Sequence, residues 1–592
     1  MNRLKHVLFL LFLLSPLYIN GQSELITNID TRSKISLNGK WRYHIDAFDQ
    51  MDCYKDNVPE KRWDIHEYNF PTADWLYVPG DWNSQRKILF LYEGHVFYRK
   101  KINYNKKTDK RVFLYFGAAN YKAEVYLNGE LIGTHEGGFT PFNIEVTDKI
   151  NNGKNSIVVN VENYRKPDRI PAMSTDWWNY GGLTRDVFIV ETNKTFIRDY
   201  YVQLKNGNKN LIKGWVKLDG DDLRQKITLN IPELTIHQEI KTDKNGYAGF
   251  EITANNIELW SPDNPKLYNV VIEAKDTKIK DQIGFRTIET KGTDILLNGN
   301  PIFLRGICIH EESPVREGRA WSEEDAEILL KWAKELNCNY VRLAHYPHNE
   351  HMVKMADKMG ILVWEELPIY WGIDWEDTAA YNIAEQQLKE MITRDKNRAS
   401  IIIWSMANET GNEPPRNKFL KNLISTSRSM DNTRLISAAL LINHKESDKT
   451  TKVVDDELGN LADVISVNAY YGWYQGLPDL IDKINWDIRF DKPFMFSEIG
   501  GGALQGYHGD TLTRWSEEYQ AYVYEESVEM FSRIPRLKGV SPWLLVDFRS
   551  PRRLFPYIQD FYNRKGLISD RGEKKKAFYI LKEYYQSIMN KK

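Results

Sequence analysis

Two glutamates follow apolar segments that lie far apart in the chain. The run 401–404 leads through Ser-Met-Ala to Asn408 and Glu409, and the run 493–496 leads to Ser-Glu498. A carboxylate is costly to bury without a partner, so a Glu after a buried strand needs a reason. Two carboxyls can share the cleavage of a glycosidic bond, one donating a proton and the other attacking or activating water. The structural alternative for Glu409 is a carboxylate that caps the segment after its strand.

The elements that would position these carboxyls alternate between strand and helix over 291–592. The predicted strands are 301–309, 340–344, 361–364, 401–404, 435–441, 464–467, 493–496 and 540–546. Between them lie amphipathic segments, the first with Ser322 as a helix N-cap and the next with a helix-ending Gly360. About eight strands alternating with helices over some 300 residues predict a (β/α)8 TIM barrel, whose strand ends converge on one mouth.

The mouth of such a barrel would be lined by carboxylates, aromatic rings and basic groups. The side chains that follow the predicted strands include His310, Arg342, Asn408, Glu409, Tyr470, Glu498 and Trp543. We expect Arg342 to favour the ionised form of Glu498 and Tyr470 to donate a hydrogen bond to it. A Ser or Cys elbow, a phosphate loop and a dinucleotide fingerprint are missing from the sequence. The arrangement therefore favours glycosidic bond cleavage.

The N-terminal half of the chain has the pattern of two β-sandwiches. Short alternating strands over 22–190 include a hairpin at Asn128-Gly129, the strongest short hairpin signal. We predict a jelly-roll β-sandwich there, an immunoglobulin-like β-sandwich over 191–290 and the barrel over 291–592. The total length of 592 residues suits about three to four domains.

Composition and the N-terminus indicate an exported protein. Residues 1–21 have a basic start, a short apolar core and a small residue at Gly21, which predicts a signal peptide and a periplasmic or secreted protein. The net charge of −1 indicates neither a nucleic-acid nor a membrane partner.

Three cysteines are too few for a disulfide framework, and none has zinc-site spacing. We expect Cys308 and Cys338 to be buried free thiols.

With these motifs together, the chain resembles glycoside hydrolase family 2. The matching segments are 36–41 (SLNGKW), 176–182 (DWWNYGG), 259–262 (LWSP), 284–286 (GFR), Asn408-Glu409 and Ser497-Glu498. The resemblance implies a jelly roll, an immunoglobulin-like sandwich and a (β/α)8 barrel, with a retaining mechanism and no metal or other cofactor. It implies that Glu409 is the acid/base, Glu498 the nucleophile and Asn408 the group that holds the sugar 2-hydroxyl. His310 matches an active-site histidine of the family.

The β-glucuronidase branch is the part of the family that the chain resembles most. Asn563 and Lys565 match the Asn-x-Lys motif that holds the sugar carboxylate there, and an ammonium and an amide suit a carboxylate. Asp176, Tyr474 and Trp543 correspond to sugar-contacting positions. The structural alternative for Asn563 and Lys565 is a solvated basic turn. The alternative function is that of a β-galactosidase or another β-glycosidase of the family. A third possibility is a non-catalytic carbohydrate-binding protein.

Two segments depart from the best-studied members of that branch. The segment 368–387 is short and lacks a long lid, which predicts an open site for oligosaccharides or glycan fragments. Residues 557–562, before the Asn-x-Lys motif, also differ. Family members are often dimers or tetramers, so the resemblance is compatible with a homo-oligomer.

Overall fold

A computed structural model describes residues 24–48, 70 and 72–590. The predicted signal peptide 1–21 and Cys53 lie outside these residues. Cys308 and Cys338 are buried free thiols, as predicted. Across the described ranges, none of the helices combines the length and apolarity needed to cross a membrane.

The first sandwich packs two antiparallel sheets face to face. Its strands are β1 (Ser33–Ser36), β2 (Gly39–Asp46), β3 (Trp75–Val78), β4 (His95–Tyr104), β5 (Lys110–Phe116), β6 (Lys122–Leu127), β7 (Glu130–Glu136), β8 (Phe142–Glu145), β9 (Gly153–Glu162) and β10 (Val187–Asn193). The sheet orders are β1-β10-β5-β8 and β3-β2-β4-β9-β6-β7. The inward side chains of both sheets, such as Trp41 and Leu114, form its core. The hairpin at Asn128-Gly129 joins β6 and β7, as predicted.

The second sandwich is smaller and has its own core. Its strands are β11 (Phe196–Leu204), β12 (Leu211–Asp219), β13 (Lys226–Ile231), β14 (Ile236–Lys241), β15 (Tyr247–Thr253), β16 (Tyr268–Ala274) and β17 (Thr277–Ile283). They pair as β11-β12-β15 and β14-β13-β16-β17. Alternating burial along β12 and β13 places one face of each sheet inward.

The C-terminal half closes into a parallel barrel. Its strands are β18 (Ile288–Lys291), β19 (Asp294–Leu297), β20 (Asn300–Pro301), β21 (Leu304–Arg305), β22 (Cys308–Ile309), β23 (Tyr340–Leu343), β24 (Leu362–Glu366), β25 (Ile401–Asn408), β26 (Leu435–Leu440), β27 (Asn443–Lys445), β28 (Asp448–Val454), β29 (Ile465–Ala469), β30 (Asn485–Ile488), β31 (Phe494–Ile499), β32 (Leu537–Val540), β33 (Phe548–Arg549) and β34 (Tyr562–Asn563). The barrel order is β21-β32-β31-β29-β26-β25-β24-β23-β22. Because β21 and β22 are two pieces of one strand, the sheet is closed with eight strands.

Helices cover the outside of the barrel. The α-helices among the described residues are α1 (Trp82–Gln85), α2 (Glu323–Glu335), α3 (Glu350–Met359), α4 (Thr378–Asp395), α5 (Pro414–Met430), α6 (Glu517–Ser532) and α7 (Lys576–Asn590). Ser322 and Asp325 form a capping box at α2, and Gly360 ends α3 at φ +68°. The predicted three-part fold is thus confirmed.

The barrel departs from regular alternation in two places. After β26 and β29 the chain forms short 3-10 turns and the small sheet β27-β28-β30 in place of long helices. The last barrel strand is Leu537–Val540, so the prediction of a strand over 540–546 was wrong. Pro542 has no amide hydrogen to donate, so the regular ladder ends there, although its carbonyl still accepts from Cys308.

The N-terminal end of the barrel is filled. Trp260 of the second sandwich and Ile288 and Ile295 of β18 and β19 pack against barrel side chains that include Trp364 and Met495. The C-terminal strand ends therefore form the open mouth, where functional groups of such barrels lie.

Candidate active site

Glu409 lies directly after β25 and accepts two hydrogen bonds. Trp371 Nε1 donates to its Oε2 over 2.8 Å, and Asn468 Nδ2 donates to its Oε1 over 2.9 Å. The carboxyl is half-buried. Burial and the nearby charge of Glu498 raise the pKa of Glu409, against the two hydrogen bonds, which favour the ionised form. A carboxyl with a raised pKa is suited to donate a proton.

The backbone at Glu409 and Trp371 adopts an unusual conformation. Both residues have positive φ, +53° for Glu409 and +59° for Trp371, although neither is glycine. Such conformations cost about 1–3 kcal/mol and are concentrated at functional sites. Backbone hydrogen bonds between Asn408 and the loop after β24 hold the two side chains together.

Glu498 lies on β31, buried in the mouth at 4% exposure. Arg342 Nη1 donates to its Oε1 over 2.6 Å, and the hydroxyl of Tyr470 donates to its Oε2. His345 Nε2 lies 3.7 Å from Oε1. These partners hold the carboxylate in one orientation, as an attacking group requires.

Arg342 is the centre of the buried polar network. It is 0% exposed and also donates to Glu366 and to Asn408 Oδ1. Burial alone would raise the pKa of Glu366, but Arg342 and His345 lower it to about 2. The network leaves Asn408 Nδ2 buried and, among the described residues, without a hydrogen-bond partner. A buried donor without a partner is rare and is suited to a ligand oxygen.

A second cluster joins the first sandwich to the barrel. Asp176, on the connection between β9 and β10, accepts from Ser550 Oγ over 2.7 Å and from Arg553 Nε over 3.0 Å. Asn563 Nδ2 donates to its Oδ2 over 3.1 Å. Asp176 therefore positions side chains on both sides of the loop between β33 and β34.

Lys565 completes this cluster beside Glu498. Its ammonium donates to the Tyr474 hydroxyl over 2.7 Å and lies 5.4 Å from the ring centroid of Tyr470, which itself donates to Glu498. Lys565 is 4% exposed, and burial lowers the pKa of its ammonium. No carboxylate among the described residues forms an ion pair with it, so it remains able to bind an anionic ligand.

His310 and Trp543 lie in an aromatic wall around His345. Trp543 stacks on His345 with centroids 4.8 Å apart, and His310 stacks on Phe548 at 4.1 Å. Trp543 is 3% exposed. Burial and the neighbouring His345 hold the pKa of His310 well below its usual range, which favours the neutral ring.

The structure brings all the predicted site residues into one region. Arg342, Asn408, Glu409, Tyr470 and Glu498 share one hydrogen-bond network, Asp176, Asn563, Lys565 and Tyr474 form the adjoining cluster, and His310 and Trp543 lie in the wall. Sequence reasoning placed His345, Glu366 and Asn468 at the predicted barrel mouth without giving them a role, and it did not place Trp371 or Arg553 in the site. Glu366, His345 and Asn468 follow predicted strands, which was a usable signal. Trp371 and Arg553 lie on loops whose course no local pattern predicts.

Acidic, histidine and cysteine side chains are the usual metal ligands of proteins. In residues 24–48, 70 and 72–590, no three of them lie close enough together to hold an ion.

Three family models together span nearly the whole described chain. The sugar-binding domain of glycosyl hydrolases family 2 matches residues 35–193, the model named for the family itself matches 190–286, and the family's TIM barrel domain matches 288–590. The chain belongs to glycosyl hydrolase family 2. The predicted family and enzyme class are thereby confirmed.

Similar proteins extend over most of this family 2 chain. A β-glucuronidase of Streptococcus agalactiae is 27% identical, over 94% of this chain and 97% of its own. Among solved structures, a Bifidobacterium dentium β-glucuronidase complexed with coumarin-3-O-glucuronide has a TM-score of 0.82 at 23% identity and covers 95% of this chain and 98% of its own. A β-galacturonidase of Eisenbergiella tayi bound to galacturonate has a TM-score of 0.81 at 24% identity, covering 96% and 99%. At these identities the two structures show the shared fold.

Proposed function

We propose that this family 2 hydrolase is a retaining exo-β-glucuronidase that releases terminal β-linked glucuronate from oligosaccharides or glycan fragments. The observation that carries the proposal is the position of Lys565, whose ammonium contacts the ring of the same Tyr470 that binds Glu498. A cation that has no carboxylate partner in the described part of the chain and lies one side chain away from the candidate nucleophile suits a sugar that carries its own carboxylate. The names of the relatives support the same activity.

The proposed reaction divides its work between the two glutamates. Glu498 attacks the anomeric carbon while Glu409 protonates the departing glycosidic oxygen, which gives a covalent glycosyl-enzyme and a free leaving group. Glu409, now ionised, takes a proton from water, and the resulting attack on the anomeric carbon restores Glu498. Asn408 Nδ2, which has no partner among the described residues, would donate to the sugar 2-hydroxyl.

Lys565→Ala tests the choice of sugar. Removing the ammonium leaves the sugar carboxylate without its counter-charge, so we expect kcat/KM for an aryl β-glucuronide to fall about 100-fold or more. Activity on the aryl β-galactoside, which we expect to be low in the unchanged enzyme, should not fall in parallel. The measurement is kcat/KM for glucuronide, galacturonide and galactoside of one phenol.

Three results of this panel would redirect the assignment. A preference of the unchanged enzyme for the galactoside would identify it as a β-galactosidase. A preference for the galacturonide would identify the sugar as galacturonate, which differs from glucuronate only in its configuration at C4. Zero turnover on all three would favour a carbohydrate-binding protein. Equal losses in Lys565→Ala on acidic and neutral sugars would show that Lys565 is structural. As a matched control, Lys538→Ala removes a lysine that pairs with Asp294 on β19.

We further propose that the protein is exported to the periplasm or secreted after removal of residues 1–21. The basic start and the short apolar segment support this proposal. N-terminal sequencing of the protein from its own host should find Gln22 first. An N-terminus at Met1 would overturn the proposal.

We also propose that the protein forms a homo-oligomer, because members of the family are often dimers or tetramers. Light scattering of the purified protein tests this proposal.

A further inference from the structure

Arg552 and Arg553 are neighbours in sequence but contact different parts of the mouth. Arg553 pairs with Asp176 and reaches Tyr474, in the cluster that also contains Lys565. The guanidinium of Arg552 instead lies over the ring of Trp371, 4.8 Å from its centroid. The loop between β33 and β34 therefore carries one cation to the proposed sugar-carboxylate end of the site and another to the loop after β24.

Trp371 ties Arg552 to the proton donor. Its Nε1 donates to Glu409 over 2.8 Å. In the proposed reaction Glu409 touches the oxygen that joins the glucuronate to the leaving group. Because Arg552 stacks on the donor's own partner, whereas Arg553 pairs with Asp176 in the Lys565 cluster, we place Arg552 on the leaving-group side.

The charge of Arg552 is available to a ligand. The side chain is exposed, and within the described part of the chain no carboxylate forms an ion pair with it. Its backbone amide donates to Ser550 Oγ, which holds the loop in place. Stacking on an indole orders the guanidinium, and its planar fork then suits the paired oxygens of a carboxylate or a sulfate.

We propose that Arg552 and Trp371 form the leaving-group subsite and that it selects a sugar bearing an anionic group, a carboxylate or a sulfate ester. This inference rests on the proposed β-glucuronidase function and deepens it. The substrate class would be an acidic glycan with charges on successive sugars, Lys565 binding the first and Arg552 the second. A competing role for Arg552 is to hold Trp371 in place without touching the leaving group.

The test compares disaccharides that share a terminal β-glucuronate and differ in the leaving sugar. That sugar is neutral, sulfated or carboxylated, and kcat/KM is measured for the unchanged enzyme, Arg552→Gln, Arg552→Lys and Arg224→Gln. We expect the anionic-to-neutral ratio of kcat/KM to exceed one and to fall about tenfold in Arg552→Gln. The two anionic sugars show which group is preferred. Arg224 is exposed in the second sandwich, and its change should leave the ratio intact.

Two further measurements distinguish binding of the leaving sugar by Arg552 from a role in which Arg552 only holds Trp371 in place. Arg552→Lys keeps the charge and should retain part of the ratio, and raising the salt concentration should shrink the ratio in the unchanged enzyme. A ratio near one in the unchanged enzyme, or equal losses of kcat/KM on all three disaccharides in Arg552→Gln, would overturn the proposed subsite. If the enzyme still hydrolyses the aryl glucuronide, the proposed function would stand. Inactivity on the aryl glucuronide as well would overturn both.

Discussion

Glu409 and Glu498 are the same residue type in contrasting surroundings. Glu498 has a guanidinium partner at 2.6 Å, whereas the direct partners of Glu409 are the neutral donors Trp371 and Asn468. Burial and the charge of Glu498 raise the pKa of Glu409. The raised pKa of Glu409 suits it to donate a proton, and the fixed orientation of Glu498 suits it to attack.

Trp371→Phe should move the alkaline limb of the pH profile. The indole N–H stabilises the ionised form of Glu409, so its removal raises the pKa of that carboxyl further. The proton donor then stays protonated to higher pH, and the alkaline limb of kcat/KM should shift upward even if the maximum rate falls. The measurement is kcat/KM for the aryl glucuronide from acid to alkaline pH. An unmoved or downward-shifted limb would contradict the role of Glu409 as the acid.

At the scale of elements, the barrel supplies the carboxyls and the loops supply their partners. Asp176 belongs to the first sandwich but binds Ser550, Arg553 and Asn563 around the loop between β33 and β34. These polar anchors order the loop together with ring contacts of Phe561 against Phe90 and Trp178. The orientation of Arg552 and Arg553 thus depends on a residue from another domain.

Asp176→Ala should loosen that loop. Three hydrogen-bonding side chains lose their acceptor, so amide exchange over 550–561 should accelerate and KM for the glucuronide should rise about tenfold. Hydrogen exchange followed by mass spectrometry, together with steady-state kinetics, provides the measurement. Asp168→Ala is the control, because Asp168 is exposed on the same connection of the sandwich. Unchanged exchange over 550–561 would show that other contacts order the loop.

At the scale of the whole molecule, a buried ionic cluster joins the first sandwich to the barrel. Arg185 Nη2 lies 3.1 Å from Glu311 Oε1, and Arg319 Nη1 lies 3.3 Å from its Oε2. Burial alone would raise the pKa of Glu311, but Arg185 and Arg319 lower it overall. Its ionised form therefore stabilises the fold above the pKa of the unfolded chain, and this contribution is lost as pH falls through the folded value.

Glu311→Ala should destabilise the protein strongly. It leaves Arg185 and Arg319 buried without their carboxylate, and breaking a buried pair in this way costs about 3–5 kcal/mol. Glu327→Ala, the control, breaks an exposed pair with Lys331 within α2 and should cost less than about 1 kcal/mol. Denaturant unfolding of both variants at neutral pH measures the difference. Similar losses in the two would mean that the cluster does not couple the domains.

The sequence by itself determined the architecture and the candidate carboxyls. Period-two strands, the Asn128-Gly129 hairpin and alternating strands and helices are local patterns, because burial of one face imposes them on each element separately. The barrel then requires that residues after its strands meet, which predicts that Glu409 and Glu498 lie at one mouth.

Only the tertiary structure decided how those carboxyls differ and what surrounds them. Trp371, Arg552 and Asp176 lie on connections whose paths are set by contacts between distant segments, and such contacts leave no periodic signal in the chain. Local pattern therefore predicts which elements form, whereas the partners of each charge depend on distances that exist only once the domains have packed together.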